Sequence, residues 1–210
     1  MRSRSSDALW MGSAFCATLV LAAGVVAFLG PHERGIYAAL AATARLAFLL
    51  FWPAYSGSAL VLLFGRAFEP LKRHAREFGL AFVSALLVHL GLVVWLCLIG
   101  AAPGARTFVI FGIGAGWAYL LALFSIDAFR QALGPKYWGL LSKVGMNYLA
   151  FAFFIDFARL SPDAGLKQLI KYLPFAVLAV VGPGLRLAAF GRRARKERAA
   201  SHLANRPNVT

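Results

Sequence analysis

Residues 85–95 read ALLVHLGLVVW, and what surrounds them decides the fold. Reading outward, no Asp, Glu, Lys or Arg occurs from Phe78 to Ala105. An apolar run of about 20 residues is long enough for a helix to cross the hydrocarbon of a bilayer. The stretch is therefore read as the middle of a membrane span, Glu77 to Ile99. His89 is then an ionisable ring inside the membrane. Such residues are costly there and mark functional sites by default.

Five further runs share this character. They cover Ala8–Leu29, Tyr37–Phe64, Thr107–Ile126, Tyr137–Phe157 and Gln168–Phe190. Arg2 and Arg4 precede the first run, as in a signal peptide, but the run exceeds the usual apolar core of one and reads as a retained helix. Pro53 lies inside the second run and predicts a kink, because proline removes a backbone donor. Composition agrees with this pattern. The 210 residues are 60% hydrophobic and 14% charged, with a mean hydropathy of +0.71. Soluble domains are near a quarter charged. The predicted fold class is all-α, a polytopic membrane bundle of six transmembrane helices over residues 1–190. Residues 191–210 form a basic tail expected to be partly disordered.

The net charge of +14 follows the connections between spans. With the N-terminus inside, sixteen of the 22 Lys and Arg lie on the inner side. They include Arg66, Lys72, Arg73, Arg76, Arg130, Lys136, Lys143 and the basic residues from Arg186 onward. Arg34, Arg106, Arg159, Lys167 and Lys171 lie outside. This excess predicts an inner-membrane protein with both termini cytoplasmic, and a tail drawn to anionic lipid. The lipid bilayer is thus the first expected partner. Nucleic acid is not one, because no basic stripe with interleaved aromatics lies outside the spans. Cys16 and Cys97 sit within apolar runs and read as small buried residues, not a disulfide or metal site.

Other polar residues in the spans are few. Arg45, in the outer third of span two, and Asp156, at the outer end of span five, fall at similar depth and read as a pair or snorkelling anchors, or as a contact for substrate or a proton. Asp127 reads as an interfacial partner for Arg130 and Lys136. Gly112 and Gly116 share the spacing by which small residues let helices approach closely. By itself, His89 is either a hydrogen-bonded ring within the bundle, a ligand to haem or metal, or a proton relay.

The sequence GRAFEPLKRHAREFGLAFVSALLVHLGLVVW, residues 65–95, resembles the ferric reductase-like transmembrane domain. That family includes the haem-containing membrane subunit of the periplasmic methionine sulfoxide reductase system, the NADPH oxidases and the ferric reductases. Arg76, Gly79, Leu80 and His89 fill the matching places. A second stretch, LGPKYWGLLSKVGMNYLAF (residues 133–151), is compatible through Leu133, Gly134, Trp138, Leu141 and Tyr148. The resemblance spans roughly residues 40–160 and implies haem b held between spans three and five. Here the chain departs from the family. Ser142 and Ile155 stand where span-five histidines are expected, and no histidine occurs between His89 and His202. Ligation can be restored through Met146, through five-coordinate haem on His89, or through a ligand from a partner.

The expected function is accordingly a ferric reductase-like membrane component with a degenerate haem site, non-catalytic or dependent on a membrane or periplasmic redox partner. The first alternative is a b-type haem subunit that passes electrons from quinone or flavin to a periplasmic acceptor. The second is a small-molecule transporter, for which no internal repeat or matched pair of interrupted helices is found. No catalytic residue is assigned.

Overall fold

The structure is a computed structural model that describes residues 4–158 and 166–204. Among these residues there is no strand. Helices α1 (Arg4–Leu29), α2 (Glu33–Phe64), α4 (Ala75–Leu98), α5 (Ala105–Phe124), α6 (Asp127–Phe157) and α7 (Leu166–Ala204) are the long elements. A 3-10 turn, Arg66–Phe68, and the short helix α3 (Glu69–Arg73) join α2 to α4. All six long helices have the length and hydropathy to cross a membrane. The predicted six-helix membrane bundle is therefore found, and the chain is an integral membrane protein.

Glycines set three of the helix ends. Gly30, Gly65 and Gly100 have φ of 92°, 89° and 80°, a region that side chains with a Cβ rarely enter. Gly134 (φ 78°) does the same inside α6. Pro135 then begins the next helical turn, where its missing N–H costs nothing. The fifth span thus has a short preceding helix, Asp127 to Leu133, that its hydropathy did not disclose. Helix α2 is assigned as continuous across Pro53. Helix α7 runs past Phe190, so the basic tail is helical as far as Ala204.

Bilayer lipid is as apolar as leucine, so van der Waals packing and interhelical hydrogen bonds hold such a bundle together. Large side chains accordingly line its outside, among them Leu9, Val20, Phe28, Leu98 and Phe190. Helix α2 is central and packs on α1, α4 and α7, while α5 packs chiefly on α6. One buried cluster, with Ile36, Ala39, Val88 and Leu96, lies where α1, α2 and α4 meet. The larger one joins α2, α4, α5, α6 and α7 around a set of rings. Phe48 lies 5.0 Å from both Phe153 and Phe157, and Phe157 lies 5.3 Å from Phe175.

Polar contacts tie helices at defined heights. Trp52 Nε1 donates to the Leu178 carbonyl at 2.9 Å, and Tyr148 Oη to that of Ile110 at 3.0 Å. Arg192 Nη1 donates to the Leu62 and Leu63 carbonyls at 2.8 and 3.1 Å. These belong to the last turn of α2, where carbonyls lack helical partners and a cation is favoured. Asp127 pairs with Arg130 at 2.8 Å, as the sequence suggested.

The expected Gly112–Gly116 approach is not used: a Cβ at either would meet nothing within 4 Å. The close contact between α5 and α6 falls at Gly145, where a Cβ would lie 2.8 Å from Trp117 and 2.9 Å from Leu121. Gly114, in ordinary contact with Tyr148 and Ala152, supports the same seam. Glycine spacing marked the helix, but the face is set by the bulky residues opposite.

Candidate functional site

Among the described residues, two cavities of the bundle bear on the candidate site. The one lined by His89 has a volume of about 470 Å³. Its wall includes Tyr37 near the start of α2, Pro103 between α4 and α5, and Asp156 at the end of α6. These positions share one end of the bundle. The second cavity, about 320 Å³, is lined by Arg76 at the start of α4, Ser125 after α5 and Arg130 near the start of α6. These mark the opposite end. Phe82 and Leu149 line both cavities, and both are buried. They form the partition between them.

His89 is held from one side. Its Nδ1 lies 2.9 Å from Thr43 Oγ1. Thr43 is fully buried on α2 and also lies 2.9 Å from the Ala39 carbonyl. A threonine in a helix makes this backbone contact readily, and it fixes the hydroxyl's position. Thr43 therefore occupies one ring nitrogen of His89, and Nε2 is left to the cavity. A histidine anchored through one nitrogen presents the other in a defined direction, as ligand or hydrogen-bond partner.

The remaining candidates divide between the two ends. Met146 and Ser142 line the second cavity, across the Phe82–Leu149 partition from the one that His89 lines. Ser142 Oγ donates locally to the Gly139 carbonyl at 3.3 Å. Ile155 is half-buried and lines neither cavity. The Arg45 guanidinium lies over the faces of Tyr172 and Phe175, 4.9 and 5.6 Å from the ring centroids. Both distances fall within cation–π range. Its Nε is buried without a hydrogen-bond partner. Asp156 and Tyr172 both line the His89 cavity, and Tyr172 also carries the Arg45 guanidinium on its ring.

Among the described residues, no group of three or more His, Cys, Asp or Glu side chains is placed to hold a metal ion. The donor set for haem is equally sparse. His89 brings one imidazole to its cavity, and Met146, the proposed second ligand, faces another. Among the described residues, His89 and Met146 thus line different cavities and do not bring two ligands to one haem.

Three features were not foreseen. Thr43 gave no signal, because its pairing with His89 depends on how two helices are rotated against each other. Tyr172 reads as ordinary packing in an apolar span. Arg186 reads only as one of the inner-side cations, although it stands between Leu185 and Leu187 in the last apolar run. That flanking was the available clue to its place in a cavity wall. No family model, curated protein or solved structure matches this chain.

Proposed function

We propose that this chain is a ferric reductase-like membrane component with a degenerate haem site. It works by binding, as the membrane partner of another protein or as a carrier, and not by self-contained electron transfer. One observation carries this reading: His89 and Ser142, at one span-five ligand place, line different cavities on two sides of Phe82 and Leu149, and Ile155, at the other place, lines neither. The anchoring of His89 by Thr43 supports a retained, oriented ring that receives a bound group in the 470 Å³ cavity. Pockets of this size, mostly apolar with few polar groups, suit small ligands.

The test is an absorption spectrum of detergent-purified full-length protein, expressed with haem precursor supplied. The expected result is less than one-tenth of a haem per chain, with no Soret band that depends on His89. A Soret band at one haem per chain that His89→Ala abolishes would overturn the reading in favour of the b-type haem subunit.

We further propose that the chain lies in the inner membrane with both termini cytoplasmic. The basic residues from Arg192 to Arg198 at the end of α7, and those between α2 and α4, support this orientation. A single cysteine at Ser201, in a chain lacking Cys16 and Cys97, should react with an impermeant maleimide in inside-out vesicles only. Labelling from outside intact cells would reverse the assignment.

A further inference from the structure

We propose that the 320 Å³ cavity is a binding site for a phosphate-type anion, gripped by Arg76, Arg130 and Arg186. These three arginines come from the start of α4, the start of α6 and the second half of α7. No aspartate or glutamate lines the cavity with them. The rest of the wall is largely apolar, with Phe51, Phe82 and Leu121 among its members. An apolar wall lowers the local dielectric and strengthens attraction between a guanidinium and an anion.

The arginines are unequally neutralised. Arg130 pairs with Asp127 at 2.8 Å, but both side chains are well exposed, and such pairs are screened by solvent. Arg76 pairs with Asp7 at 3.1 Å through Nη2, and this pair is better shielded. The Nε of Arg76 is nonetheless buried without a hydrogen-bond partner. Arg186 has no carboxylate partner among the described residues. Its guanidinium rests on the Tyr55 ring, 4.4 Å from the centroid. A ring face orients the cation and leaves its charge uncancelled. Tyr55 is itself held by its hydroxyl, which donates to Asn147 Oδ1 at 3.0 Å. The unneutralised cation is thus built into the wall.

Guanidinium forks match the paired oxygens of phosphate better than a point charge does. The chemistry is that of a phosphate mono- or diester. Its source is either a soluble phosphate compound or the headgroup of an anionic lipid at the membrane surface. This inference does not depend on the haem reading.

The experiment uses full-length protein in two settings. In lipid-free neutral detergent, inorganic phosphate is titrated at constant ionic strength and the thermal unfolding midpoint is followed. In nanodiscs of phosphatidylcholine with 1 part in 5 phosphatidylglycerol, native mass spectrometry reads which lipid is retained (roughly tenfold selectivity is about 1.4 kcal/mol). Arg186→Gln should weaken whichever binding occurs by at least tenfold. Lys143→Gln, which removes an exposed cation outside the cavity wall, should leave it within twofold. A phosphate response in detergent assigns a soluble anion; retention of phosphatidylglycerol alone assigns a headgroup. Arg186→Lys and Arg76→Gln provide the same comparison if Arg186→Gln does not fold. The proposal is overturned if neither probe binds, or if Lys143→Gln weakens binding as much as the arginine variants do.

Discussion

Gly35→Ala should be the most damaging alanine substitution among the described glycines, costing about 3 kcal/mol or more of stability. Gly35 is buried in the first turn of α2, tucked against the turn that leaves α1. A Cβ there would overlap the Gly30 carbonyl oxygen and lie 3.1 Å from the Gly30 carbonyl carbon. All the atoms it meets are backbone, so no rotamer change relieves the clash. Gly30 is already fixed by its positive φ and by its N–H bond to the Val26 carbonyl at 2.8 Å. The α1–α2 turn would have to open, and α1 would lose its seat on α2 and α4. Thermal unfolding of detergent-purified protein checks this. Gly112→Ala is the control: it meets nothing within 4 Å, and alanine's better helix propensity should keep stability level or raise it slightly. Equal losses at the two sites would refute the argument.

Phe48→Ala should cost about 3 kcal/mol, near the low end for a buried phenylalanine. The low end applies because lipid provides little hydrophobic drive between helices, so the loss is mainly one of packing contacts. Phe48 is 1% exposed and touches rings from two other helices: Phe153 and Phe157 on α6 and Phe175 on α7. Truncation leaves a void at the junction of three spans. Phe48→Leu refills most of that void and should cost less than half as much. The measurement is the unfolding midpoint in one detergent for all three proteins. Matching midpoints for Phe48→Ala and wild type would mean that the ring cluster does not hold α2 to α6 and α7.

The spans were legible because their signal is one-dimensional. A run such as Phe78–Ile99 declares a crossing helix by length and composition alone. The Asp127–Arg130 pair was legible for a similar reason, since three residues apart on one helix are neighbours. What escaped depends on helix rotation and on the shapes opposite. The sequence offers Gly112 and Gly116 as readily as Gly114 and Gly145, and only Trp117 and Leu121 decide between them. His89 was visible as a site, but not its tether to Thr43, 46 residues earlier. Arg76, Arg130 and Arg186 were visible as charges that orient the chain. Their convergence on one cavity required the tertiary fold.

The partition formed by Phe82 and Leu149 has an electrical consequence. Water entering each cavity carries the potential of its own side deep into the bundle. The layer between them is hydrocarbon, where an ion without partners is strongly disfavoured. Among the described residues, Phe82 and Leu149 thus set a buried apolar layer between the two cavities. A membrane voltage, worth about 2.3 kcal/mol per unit charge at 100 mV, would then fall more across this layer than across the water-filled cavities. Such a field would concentrate at Phe82 and Leu149, and Phe82 lies two turns from His89 on α4.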